Sequence, residues 1–214
     1  MTVAHSNYLS DRAIRTGLAP FGVIPDLALC EKIRIYVRIL LQWTEKISLT
    51  SIHSPLEIVE RHFGESMFAA SAVGIARGRL ADVGSGAGFP GLALKLVRAE
   101  LKVTLIEPNA KKAAFLSEVN RALKLTSVTV LRSRLEECRE YSPSLDFITS
   151  RALDPTKGLI PWSHRALTVA GRLVLWVGDG AVQELSTSPE WIWQKPIAIP
   201  HSRRRSLLIG RPIK

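Results

Sequence analysis

At 214 residues the chain has room for one full-sized core and a small appended element, which argues against two independent domains. No apolar run reaches the roughly 18 to 20 residues of a bilayer span, the opening MTVAHSNYLSDR has no apolar signal core, and Cys30 and Cys138 form no CxxC pair; no membrane span, disulfide framework or zinc knuckle is suggested, and a cytoplasmic location is expected. The formal net charge of +10 points to a polyanionic partner and is uneven, with 8 Lys/Arg against 7 Asp/Glu in residues 1–78 but 21 against 12 in residues 79–214.

The first periodic segment, residues 26 to 47, predicts an amphipathic helix. Leu29, Ile33, Tyr36, Val37, Leu40 and Ile47 recur at helical spacing behind the turn signal Pro25-Asp26. A second helix opens at Ser54-Pro55-Leu56-Glu57, with Ser54 as cap, Pro55 at the first helical position and Glu57 closing a capping box, and runs to about Ser71. From Arg79 the pattern changes to short β-rich runs alternating with helical ones. The predicted strands are Leu80 to Val83, Val103 to Glu107, Val128 to Leu131, Leu145 to Thr149 and Arg172 to Val177, with helices from Gly91 to Arg98, Ala110 to Leu123 and Pro155 to Leu167. Two closing strands, Trp191 to Ile199 and Ser206 to Ile209, flank the turn Pro200-His201-Ser202-Arg203. The fold class is therefore α/β: a doubly wound, Rossmann-like sheet of about seven strands in residues 79–214, preceded by a helical extension in residues 1–78.

The densest chemical signal is Asp82-Val83-Gly84-Ser85-Gly86-Ala87-Gly88-Phe89-Pro90-Gly91, a strand running through a glycine-rich turn into a helix. Gly86, Gly88 and Gly91 satisfy GxGxxG, which by itself is weak evidence for a dinucleotide. Asp82, ahead of the first glycine, shifts the reading to a cofactor with a cationic centre, the sulfonium of S-adenosylmethionine, because a pyrophosphate would gain nothing from a carboxylate there. Glu107 ends the next strand, 21 positions after Gly86, where a carboxylate accepts from ribose hydroxyls; dehydrogenases use the same device. After the third strand, backbone groups at Leu135 and Glu136 stand where an adenine edge could be read, with an exposed charged loop as the equal alternative. Arg151 follows the fourth strand and could hold a carboxylate or a phosphate, or form a surface ion pair. Arg203, Arg204 and Arg205 lie in the terminal turn, as RNA phosphate contacts or as a solvated hairpin tip.

With these residues in place the chain resembles the small-subunit ribosomal RNA methyltransferase G family, also called glucose-inhibited division protein B. The likeness runs from about Leu40 to Val177 through Gln42-Trp43, Leu49-Thr50-Ser51, Glu60-Arg61-His62, Asp82 to Gly91, Arg134-Leu135-Glu136 and Ser150-Arg151-Ala152. It implies a class I methyltransferase sheet, S-adenosylmethionine as methyl donor, and N7 of a guanine in the 530 loop of 16S rRNA, in the small ribosomal subunit, as target. It carries the donor-binding role to Gly84, Phe89, Leu135, Glu136 and Arg151, supported by Asp82, Gly86 and Glu107. It would also aim Arg61 and His62 at the site as positioning groups, a solvent-facing helix pair being the alternative. Three positions depart from the family pattern: Ser48 stands for Asn, Glu65 for Asp, and Val177 for a Lys before Gly178. Guanine N7 carries a lone pair and no proton, so no general base is expected. The sequence accordingly lacks a Pro-Cys nucleophile, an Asn/Asp-Pro-Pro-aromatic element and a metal-ligand cluster. Two rivals stand beside this reading. A nicotinamide-dependent oxidoreductase leaves Asp82 and the basic half unexplained, and a non-catalytic RNA-binding protein leaves the glycine loop without a purpose.

Overall fold

The computed structural model describes residues 9–138, 144–151, 158–185, 188–202 and 204–214. Four N-terminal helical stretches come first: α1 (Asp11–Leu18), α2 (Leu27–Thr44), α3 (Pro55–Ile58) and α4 (Glu65–Ala72), the last two joined by a π-helical segment, Val59–Gly64. Polar caps set their starts. Ser10, Asp26 and Ser54 each accept from the backbone N–H three residues on, the arrangement that satisfies the otherwise orphaned first-turn donors. Glu57 does not close a capping box; its carboxylate turns to Arg61 at 3.0 Å. The expected single helix from Ser54 to Ser71 is thus interrupted by a widened turn, a feature without a sequence period of its own.

The sheet contains β1 (Gly78–Val83), β2 (Leu101–Ile106), β3 (Val128–Leu131), β4 (Leu145–Arg151), β5 (Leu167–Gly178), β6 (Trp191–Trp193), β7 (Ile197–Ala198) and β8 (Arg205–Pro212). Its order is β3-β2-β1-β4-β5-β8-β6, with β7 also on β8. Strands β1 to β5 are parallel and β8 runs antiparallel to β5. Four of the five core strands fall within two residues of where the β-rich runs placed them, whereas β5 starts at Leu167 instead of Arg172, directly where the expected Pro155 to Leu167 helix ends, at Ala166. At the closing end the expected Trp191 to Ile199 strand is two short ones, because Pro196 has no N–H to donate and the ladder breaks there. The described strands therefore number eight.

Alternation along the strands sorts side chains into two cores. Leu80, Leu105, Phe147, Val174, Leu207 and Ile209 face α2, α4, α5 (Gly91–Val97) and α6 (Ala110–Ala122), whereas Ala81, Val83, Ile148, Leu175 and Leu208 face α7 (Leu159–Ala166) and Leu185 of α8 (Asp179–Leu185). The N-terminal helices share the first core with the sheet: Ile14, Tyr36, Leu40 and Phe63 are fully buried in it. The chain reverses its winding between β1 and β4, so the crevice at their carboxyl ends is the topological switch point where open α/β sheets bind ligands. None of the described helices is long and apolar enough to cross a membrane.

Candidate methyl-donor site

The glycine loop links β1 to α5 at that switch point. Gly84, Gly86 and Gly88 all have positive φ, at 69°, 54° and 83°. Space restricts Gly88 further, since a Cβ there would come within 2.2 Å of the Tyr36 hydroxyl. Gly86 is the opposite case: a Cβ would meet only the Gly84 carbonyl, at 3.7 Å, so this backbone lies open to a ligand. Tyr36, fully buried on α2, donates to the Ala87 carbonyl at 2.6 Å and so ties the N-terminal helices to the loop.

Two carboxylates hold the loop from below. Asp82 is completely buried, accepts from Thr149 Oγ1 at 2.7 Å and from the Gly91 N–H at 3.2 Å, and is pushed up to about 6 by burial against those bonds. Glu107 accepts from the Gly86 N–H and the Asn109 N–H, each at 2.9 Å. Each carboxylate thus uses both oxygens on the scaffold. Glu107 keeps lone pairs beyond those two bonds, at the loop where the backbone is open. Ser150 adds a bond to the Val83 carbonyl at 2.9 Å, closing β4 onto β1 at the crevice.

Beside the loop, Phe89 stacks on Tyr36 (5.2 Å between centroids, 11° between planes) and on His62 (4.9 Å, 20°), with Phe63 edge-on at 5.0 Å. The π segment delivers His62 and the Arg61 carbonyl to the end of β4. There Arg151 donates to the Arg61 carbonyl at 3.1 Å and to His62 Nδ1 at 2.6 Å. A guanidinium has no acceptor atom, so Nδ1 must accept and the proton sits on Nε2, 2.8 Å from Thr50 Oγ1. Burial, then Arg151 and Arg61, lower the imidazole to about 3 and hold it neutral. Arg151 is itself lowered to about 10, by burial first. Arg61 points its own guanidinium outward to Glu57.

The remaining expected positions are distributed around the same edge. Leu135 and Glu136 lie in a single turn of 3₁₀ helix after β3, and line a cleft of about 460 Å³ with Cys138, Gly158, Pro161 and Trp162. Arg204 is exposed in the terminal turn, and Arg203 lies outside the described residues, as does Ala152. Arg205 departs from the expectation of a phosphate contact at a hairpin tip: it opens β8 and its guanidinium turns inward to Glu65, 2.9 Å away. Among the described residues no group of His, Cys, Asp and Glu could hold a metal ion. Sequence reading had no signal for Tyr36 as a loop clamp or for Thr149 as partner of Asp82, since both contacts join segments far apart in the chain.

Residues 29–203 match the family described as rRNA small subunit methyltransferase G. The chain belongs to that family. Proteins named ribosomal RNA small subunit methyltransferase G include one from Xanthomonas axonopodis pv. citri, 37% identical over 77% of this chain and 76% of its own length, and one from Roseiflexus castenholzii, 34% identical over 88% and 86%. Among solved structures, a ribosomal protein methylase from Lactobacillus delbrueckii subsp. bulgaricus aligns with a TM-score of 0.60 at 14% identity, over 72% of this chain and 79% of that one. An MtNAS variant in complex with S-adenosylmethionine aligns at 0.62 and 14%, over 87% and 78%. At such identities the structures share the fold of this methyltransferase G family member, its parallel sheet and switch-point crevice.

Proposed function

We propose that this S-adenosylmethionine-dependent rRNA methyltransferase transfers its methyl group to N7 of a guanine in the 530 loop of 16S rRNA, within the small ribosomal subunit in the cytoplasm. Family membership supports the methyl donor and the rRNA substrate. The 530 loop and its guanine are what the family resemblance implies, and the N7 atom is argued from the chemistry of the site. Its donor-facing groups fit S-adenosylmethionine: open backbone at Gly86, the spare lone pairs of Glu107 for ribose hydroxyls, the Leu135–Glu136 cleft for the adenine, and the half-buried cation of Arg151 for the methionine carboxylate. When bound, the donor supplies an electrophilic methyl on a sulfonium.

The observation that carries the N7 assignment is the engagement of the two candidate bases packed against the glycine loop, His62 and Asp82. Both nitrogens of His62 are occupied, by Arg151 and Thr50, and both oxygens of Asp82 by Thr149 and Gly91. An acceptor needing deprotonation would find neither of these two free, whereas N7 attacks with a lone pair that carries no proton. The residues' work is then positional: Gly84 and Gly86 admit the donor closely, the stack of Tyr36, Phe89 and His62 braces the loop, and Arg151 orients an anionic group. Residues 79–214 carry the donor-binding sheet, and residues 1–78 act as an extension that clamps the loop through Tyr36. The exposed Arg204, and Arg203 beside it in sequence, serve as phosphate contacts.

Substituting 7-deazaguanine at the target position tests this. Methyl transfer should be abolished while RNA binding stays nearly intact. Undiminished incorporation of tritiated methyl into the deaza RNA would move the acceptor to an exocyclic amine or a ribose hydroxyl.

A further inference from the structure

Glu65 opens α4 and is 97% shielded from solvent, being only 3% exposed, yet it has no place in the donor site as read from the family pattern. Its Oε1 pairs with Arg205 at 2.9 Å; its Oε2 lies 3.8 Å from Arg151 Nη1 and has no hydrogen-bond partner among the described residues. The same residue's carbonyl accepts from Trp176 Nε1 at 2.9 Å, so backbone and side chain are both fixed against β5 and β8. A buried carboxylate oxygen left without a hydrogen bond is costly. Here it is within an ångström of bonding distance to the cation that faces the crevice.

Charge completes the argument. Arg151 and Arg205 bring two positive charges to one carboxylate, and the neighbouring imidazole is neutral. Asp82, the other acid near Arg151, is already committed to Thr149 and Gly91. The cluster is one negative charge short, which matches a ligand bearing a single carboxylate. We infer that Glu65 is a positioning residue of the methyl-donor site: bridging Arg205 and Arg151, it holds the Arg151 guanidinium ready for the donor's methionine carboxylate. This rests on the reading above that Arg151 faces the donor.

The test is calorimetry with two ligands, S-adenosylhomocysteine and 5′-methylthioadenosine, which lacks the amino-acid carboxylate. Glu65→Gln keeps the shape and removes the charge. It should weaken S-adenosylhomocysteine about tenfold and leave methylthioadenosine unchanged. In an Arg151→Gln background the same substitution should add nothing, since the two residues act as one unit. Equal weakening of both ligands, unchanged S-adenosylhomocysteine affinity, or additive losses would overturn the inference. If Arg151→Gln itself leaves S-adenosylhomocysteine binding intact, the placement of Arg151 in the donor site fails instead. Should Glu65→Gln not fold, a structure of the native protein with S-adenosylhomocysteine decides: Arg151 bonded to both the Glu65 and ligand carboxylates is expected, and Arg151 parted from Glu65 would refute it.

Discussion

Two regions meet at the switch point and are built on opposite plans. In the glycine loop, two carboxylates, Asp82 and Glu107, are matched by Thr149, Gly91, Gly86 and Asn109, so the loop's conformation is set by bonds it already makes. In the arginine cluster, Arg151 and Arg205 outnumber Glu65, and a buried oxygen is left without a bond. One region is complete before a ligand arrives; the other is completed by the ligand. The contrast separates two requirements of group transfer, a fixed cradle for the donor and an electrostatic vacancy that selects which donor enters it.

The largest effect should come from disturbing the fixed region. Gly88→Ala places a methyl against the buried Tyr36 hydroxyl and imposes a positive φ on an L-residue. Overpacking and backbone strain together should cost about 2–4 kcal/mol of stability, read from urea unfolding. Combining it with Tyr36→Phe should recover part of that loss by removing the colliding oxygen; purely additive losses would show that the loop is not clamped by Tyr36.

Acidity should distinguish the regions next. His62 is lowered from 6.5 to about 3, so the unfolded chain binds its proton more readily; the neutral ring's contribution is fully present above pH 6.5 and is lost as pH falls toward 3. Asp82, raised from 3.8 to about 6, has the opposite sign: its contribution is fully present below 3.8 and is lost as pH rises through about 6. On going from about pH 7 to about pH 4.5, His62→Gln should therefore lose less stability than the parent, and Asp82→Asn more. Parallel pH curves for all three in thermal unfolding would mean that neither group is held as the structure indicates.

The smallest effect concerns RNA. Arg204→Ala should lower the slope of log affinity against log salt by roughly 0.7 to 0.9 and leave donor binding alone. Arg205→Ala should instead weaken donor binding, because that side chain is turned to Glu65. A slope loss from Arg205→Ala equal to that from Arg204→Ala, with donor binding intact, would erase the distinction between them.

How much of this was legible in sequence follows the same division. The strand, glycine turn and helix of residues 80–98 are neighbours in the chain, and hydrophobic period plus glycine content define them. Glu107 was legible because it directly follows a strand at a fixed distance from the loop. The arginine cluster draws on residues 61–65, 151 and 205, and no local pattern reports that such segments meet. Arg205 read as one of three like charges in a turn, since a run of arginines gives no hint of which one points inward. Helices α1 and α8 are too short to show a stripe over several turns, and the π segment hides inside a correctly predicted helical region.

The ion pair between α4 and β8 also ties the helical extension to the last strand of the sheet. Glu65 belongs to the first third of the chain and Arg205 to its last strand, so the nearer cation of a carboxylate buried by helix packing depends on the pairing of β8 with β5. Without β8 the buried carboxylate would face only Arg151, 3.8 Å away and without a hydrogen bond. The wall of the site formed by residues 61–65 is therefore anchored twice, to the parallel sheet through Arg151 and to its antiparallel end through Arg205.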